Sequence, residues 1–133
     1  KEKGLNVRFM GPEGVGNSEI SAIAGPASEG MYVTLPKSFD QDPRNKELVE
    51  AFKAKKQDPS GPFVFPAYAA VQVIAEGIEK AGSTDTDKVA EALRSNSFDT
   101  PTGVLEFDEK GDLKNFNFVV YEWHQDGTKT EAK

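Results

Sequence analysis

Phe9-Met10-Gly11-Pro12-Glu13-Gly14-Val15-Gly16-Asn17 sets one carboxylate in a Gly/Pro-rich turn between an apolar strand and a short helix. Glycines in such a turn let backbone approach a ligand closely, and a fixed acid beside them can take a cation. Upstream, Leu5 to Met10 reads as the strand, entered from the end of a helix at Lys1-Glu2-Lys3-Gly4. Downstream, Ser18 to Ala24 reads as the helix, with Asn17 as its N-cap, Ile20 and Ile23 on one face, and Gly25-Pro26 as its stop. Met31 to Leu35 follows as a second strand. Pro36 at its end has no N–H to give to a ladder.

The pattern then continues as helices. Asp42-Pro43 opens one in which Leu48, Val49 and Phe52 oppose Lys46, Glu50 and Lys53. Gln57 to Pro62 is a turn-rich break. Phe63 to Ala81 is the longest helical stretch, with Ala67, Ala70, Val71, Ile74, Ala75 and Ile78 as its apolar stripe and Pro66 confined to the first turn. Thr84-Asp85-Thr86-Asp87 has the form of a capping box for a helix over Lys88 to Arg94, buried through Val89, Ala92 and Leu93. Gly103 to Phe107 and Asn115 to Trp123 are the closing strands, expected to pair as a hairpin. In the last of them Phe116, Phe118 and Val120 alternate with Val119, Tyr121 and Trp123. Alternating helices and strands predict an α/β chain with parallel pairing.

Composition removes several classes of function. At 133 residues the chain is sized for one domain, and 29% charged residues beside 37% hydrophobic ones is a globular balance. A net charge of −6 with interleaved signs offers no basic stripe for a nucleic acid. The cation run Lys53 to Lys56 reads as a solvated helix end. Zero cysteines exclude disulfides and thiolate sites, and the one histidine, His124, leaves little material for a metal cluster or a triad. No cofactor and no metal is therefore expected, and no nucleophile–base pair marks an enzyme. Asp108-Glu109-Lys110-Gly111-Asp112 lacks the spacing of a calcium loop and reads as a turn. Gly11, Gly14 and Gly16 do not form a dinucleotide fingerprint. Trp123 and His124 read as a packing residue and a surface residue.

Met10 to Asn17, Asp58-Pro59-Ser60-Gly61-Pro62-Phe63, Tyr68-Ala69-Ala70-Val71-Gln72, Asp108 to Lys114 and the tail Tyr121-Glu122-Trp123-His124-Gln125-Asp126-Gly127 recur in one order in a known family. Together they resemble the solute-binding proteins of branched-chain amino-acid ABC transporters, the leucine/isoleucine/valine type, within the type I periplasmic binding proteins. Members are more than twice this long, so the chain resembles their C-terminal portion. The resemblance implies two Rossmann-like lobes, both incomplete here. Residues 1–36 would belong to the second lobe, 37–117 to the first, and 118–133 to a hinge crossing and the second lobe again. Two hinge crossings would lie near Leu35-Pro36-Lys37 and near Phe116 to Val119.

The resemblance also implies roles. Glu13 would receive the α-ammonium of a leucine, isoleucine or valine ligand, an enclosed group that needs a charged acceptor. Gly14 would either satisfy the turn or leave room for the ligand. Phe63 would close over the aliphatic side chain, although as a helix-start aromatic it also suits a core. Phe65 stands where relatives often carry tryptophan. The carboxylate of the ligand would be held by residues of the first lobe upstream of Lys1, so the segment alone is expected to bind weakly or not at all. The parent would be exported to the periplasm by an upstream signal peptide and would deliver its ligand to an ABC permease after hinge closure. Unpaired sheet edges predict association, as an intertwined homodimer. A self-contained interaction or assembly module is the alternative reading.

Overall fold

The computed structural model describes residues 4, 6–116 and 118–133, which divide into two compact units. The residues up to Lys37 and those from Phe118 onward form one unit, and Ser38–Phe116 form the other. Leu5, where the first strand is expected to begin, and Asn117, inside the expected last strand and second crossing, lie outside the described residues.

The first unit is a four-stranded sheet in the order β1-β2-β5-β6. Its strands are β1 (Met10–Gly11), β2 (Tyr32–Pro36), β5 (Phe118–Trp123) and β6 (Lys129–Glu131). β1 runs parallel to β2, while β2–β5 and β5–β6 are antiparallel. The parallel β1–β2 pair is joined by a crossover that carries helix α1 (Glu19–Ala24). Period-2 alternation sets the core: Val33 pairs with Tyr121 and Leu35 with Val119, and Val33, Leu35, Tyr121 and Trp123 are all buried. Phe118 and Val120 alternate onto the opposite face and remain exposed. Val15, Ile20, Met31 and Val119 complete the cluster.

α1 begins one residue later than expected. The Asn17 carboxamide oxygen still accepts from the Glu19 backbone N–H at 3.0 Å, although Ser18 occupies the capping position. Ile20 packs on the core as expected, but Ile23 is 82% exposed. Positions i and i+3 differ by about 60° around a helix, enough to carry Ile23 off the narrow contact line of so short an element.

In the second unit, α2 (Lys46–Ala54) follows a short 3₁₀ turn at Pro43–Asn45 whose first backbone N–H, that of Arg44, donates to the Asp42 side chain at 3.0 Å. α3 (Val64–Ala81) and α4 (Thr86–Ser95) pack against one another, and β3 (Phe98–Thr100) pairs antiparallel with β4 (Gly103–Leu105). The strand from Gly103 thus pairs backward, with a strand that sequence patterning did not reveal, rather than forward with the last one. The Thr100 hydroxyl closes the turn by donating to Gly103 O at 2.8 Å and accepting from Thr102 N at 3.2 Å. Beyond β4 in this unit, the described residues form the single bridge Phe107–Leu113, across the turn held by Asp108. The cap of α4 is Asp85 rather than Thr84, and its carboxylate accepts from Asp87 N and Lys88 N.

The buried face of α3 is the principal correction. Phe65, Ala69, Val73 and Gly77 are buried, whereas Ala67, Ala70, Val71, Ile74 and Ala75 are exposed. The helix is apolar around most of its circumference, so periodicity alone does not choose the covered side. Its neighbours choose it. A Cβ on Gly77 would lie 2.7 Å from Leu93 Cδ2, so the absent side chain lets α4 approach closely. Phe52 of α2 meets Phe65 at 6.2 Å between ring centroids.

Candidate functional site

Glu13 sits in one 3₁₀ turn, Glu13–Val15, held by two backbone bonds, Val15 N to Pro12 O at 3.1 Å and Gly16 N to Glu13 O at 2.8 Å. Two flanking glycines, both buried, seat the turn on the core. At Gly11 a Cβ would overlap Val15 Cγ2 and come within 3.0 Å of Met31 Cε. At Gly16 it would lie 2.5 Å from Leu35 Cδ2 and 2.7 Å from the Glu13 carbonyl oxygen. A third tie comes from the far end of the chain: the buried Trp123 indole donates its N–H to Val15 O at 3.0 Å.

Gly14 differs from these two. A Cβ there would meet nothing within 4 Å, and its φ is not in the left-handed region. Neither space nor backbone in its own unit requires glycine. Beside it, Glu13 is exposed, and among the described residues its carboxylate has no hydrogen-bond or ion-pair partner. An exposed, unengaged acid on a rigid turn next to open space can receive a cationic donor without first breaking another contact.

Phe63 stands at the N-terminal end of α3 in the other unit. It is 46% exposed, whereas the core position two residues on is taken by Phe65 at 2%. The preceding turn is self-supporting. Asp58 accepts from Ser60 N at 2.9 Å, and that bond, with one from the Ser60 hydroxyl, holds its carboxyl below the usual range. Gly61 O then receives Val64 N at 3.2 Å and starts the helix. The Phe63 ring is thereby presented by a fixed backbone without being buried in its own unit.

Sequence reasoning missed the seating residues. Trp123 and Leu35 act on the Glu13 turn from 108 and 19 or more positions away in sequence, a relation that only the β2–β5 register exposes. Their shared alternation onto the core face was the available signal. His124, expected at the surface, is half-buried and pairs through Nδ1 with Glu29 at 3.3 Å, while Glu29 also accepts from Gln125 N at 2.8 Å. Among the described residues no group of three or more His, Cys, Asp or Glu could hold a metal ion, and no helix is long and apolar enough to cross a membrane.

The comparisons with known proteins agree with one another. The leucine-, isoleucine-, valine-, threonine- and alanine-binding protein of Pseudomonas aeruginosa is 73% identical over all 133 residues, which span 36% of its own length. The Leu/Ile/Val-binding protein of Escherichia coli K12 is 54% identical over 130 residues, 98% of this chain and 35% of that protein. The solved leucine-binding protein of Thermotoga maritima superposes with a TM-score of 0.79 at 27% identity, covering 99% of this chain and 38% of its own. A substrate-binding protein of Desulfitobacterium hafniense in complex with Leu gives 0.74 at 26% identity, covering 98% and 37%. These relatives are named for binding, not for a reaction. The chain spans about a third of their length, so it holds a part of their α/β fold. With the Periplasmic binding protein family profile matching residues 1–128, the chain belongs to the periplasmic binding protein family.

Proposed function

We propose that this chain supplies one ammonium-binding and one aliphatic-binding element of a solute-binding protein for branched-chain amino acids. Glu13 receives the α-ammonium, Gly14 leaves space for the ligand, and Phe63 covers the aliphatic side chain. The observation that carries this reading is the exposed and unengaged Glu13 carboxylate beside Gly14, for which its own unit gives no packing reason. The 73% identity to a protein named for leucine, isoleucine, valine, threonine and alanine supports the ligand class. On this reading the two units belong to two lobes that close over the ligand in the periplasm, and the closed form is what an ABC permease reads.

The relatives' greater length supplies the rest. α3 leaves Val71 and Ile74 exposed at 70% and 53%, beside an apolar cavity of about 320 Å³ lined by Val73, Leu105, Phe107 and Phe116 among others. We assign this face to the part of the relatives' length that the chain does not span. The intertwined homodimer expected from the sequence has no support in the comparisons. The segment alone, lacking partners for the ligand's carboxylate, is expected to bind leucine weakly or not at all.

The test is calorimetric titration of L-leucine into the gene product that carries these 133 residues, at its encoded length, with and without Glu13→Gln. A charge-assisted hydrogen bond is worth about 1.5–3 kcal/mol, so the variant loses affinity by about ten- to hundredfold. Unchanged affinity removes Glu13 from the site.

A further inference from the structure

We infer that Trp123 is the positioning residue for Glu13, acting through its indole N–H, an inference that rests on the ammonium-binding role proposed for that acid. Trp123 ends β5, and its backbone is fixed within the first unit. Its N–H donates to Met31 O at 2.8 Å, and its carbonyl accepts from Gly30 N at 3.0 Å. The side chain is 1% exposed and packs with Val33, Leu35 and Tyr121. Lys129 Nζ lies 5.3 Å from the ring centre. The backbone of Trp123 is therefore fixed and its ring is enclosed.

A buried indole N–H needs an acceptor, and here the acceptor is the carbonyl of Val15, the last residue of the turn that carries Glu13. Carbonyls at the end of a helical turn have no partner within it, so this one is available to an outside donor. The turn has only two internal backbone bonds and cannot hold its own orientation. Leu35 against Gly16 and Val15 against Gly11 give it a steric seat. Apolar contacts of that kind set distance but permit rotation, and a directed hydrogen bond fixes it. The indole thus sets where the Glu13 carboxylate points, with no contact to the ligand. A purely structural tryptophan would act differently: its loss would weaken every feature of the unit alike.

The experiment is a double-mutant cycle on the gene product at its encoded length, with L-leucine as the probe and calorimetry as the readout. Trp123→Phe keeps an aromatic ring and removes the donor. Replacement of Trp123 by benzothienylalanine keeps the ring's size as well, and serves if the phenylalanine variant does not fold. Either change is expected to weaken leucine binding about three- to tenfold when Glu13 is present, and to change nothing further in Glu13→Gln. The same loss in both backgrounds, or no loss beside Glu13, overturns the inference. If Glu13→Gln itself binds like the parent, the ammonium-binding role falls and the inference with it. If Glu13→Gln loses affinity and the Trp123 variants do not, the inference alone falls.

Discussion

Alanine at Gly14 and alanine at Gly16 add the same methyl group to one turn and are expected to move stability in opposite directions. At Gly16 the new Cβ would sit 2.5 Å from Leu35 Cδ2 and 2.7 Å from the Glu13 carbonyl oxygen. The leucine can rotate, but the carbonyl is backbone and bonded to Gly16 N, so relief requires moving the turn. Overpacking of this kind costs about 1–3 kcal/mol. Against it stands the reduced freedom of the unfolded chain, worth about 0.4–1 kcal/mol for Gly→Ala, leaving a net loss of about 1–2 kcal/mol. At Gly14 the methyl meets nothing within 4 Å and φ is ordinary, so only the unfolded-chain gain of about 0.4–1 kcal/mol remains. For a unit of this size each kcal/mol moves Tm by about 4–8 °C, which separates the two variants by roughly 10 °C. The assay is intrinsic fluorescence during thermal unfolding of the 133-residue chain. Its one tryptophan is Trp123, buried in the unit that holds both glycines, so the signal reports that unit without mixture. Shifts of the same sign at the two positions would refute the assignment of Gly16 to the core and Gly14 to open space.

Asp85→Ala removes the side chain that meets Asp87 N and Lys88 N, and should lower stability by about 1 kcal/mol, read by urea unfolding followed by circular dichroism. Glu29 gives a pH-dependent result. Its carboxyl lies below the usual range because Gln125 N–H donates to it and the His124 side chain pairs with it. A depressed carboxyl pKa contributes stability above the unfolded value of about 4.5, and that contribution is lost as pH falls through the lower folded value. Glu29→Gln should therefore unfold earlier than the parent near neutral pH and match it in acid, in thermal scans at a series of pH values. Phe98→Ala empties a fully buried position and should cost about 3–5 kcal/mol, removing the cooperative unfolding of the second unit by circular dichroism.

Much of this fold is legible in the residues, and the gaps have identifiable causes. α2, α3 and α4 stand out because caps, prolines and glycines bracket them, as at Asp42-Pro43 and Gly82. The core strands stand out because Val33, Leu35, Tyr121 and Trp123 keep strict alternation. The covered side of α3 does not, because Ala70, Val71 and Ile74 are as apolar as Ala69 and Val73, and only neighbouring elements distinguish them. β3 is hidden because Phe98-Asp99-Thr100 is too short to carry a period, and the turn that follows it is closed by the Thr100 hydroxyl. At the candidate site, Glu13 and Phe63 are visible through their motifs, since each lies in a Gly/Pro turn. The residues that hold Glu13 in place are not, because Leu35 and Trp123 reach it only after β2 and β5 pair.

The first unit is assembled from both ends of the chain, with Ser38–Phe116 inserted between them. β5, an inner strand of its sheet, comes from the far end. During synthesis Ser38–Phe116 emerges before β5, so β2 waits without its antiparallel neighbour. The support beneath the Glu13 turn is thus laid only once β5 has left the ribosome, so a message cut short before Trp123 leaves that turn without its indole partner.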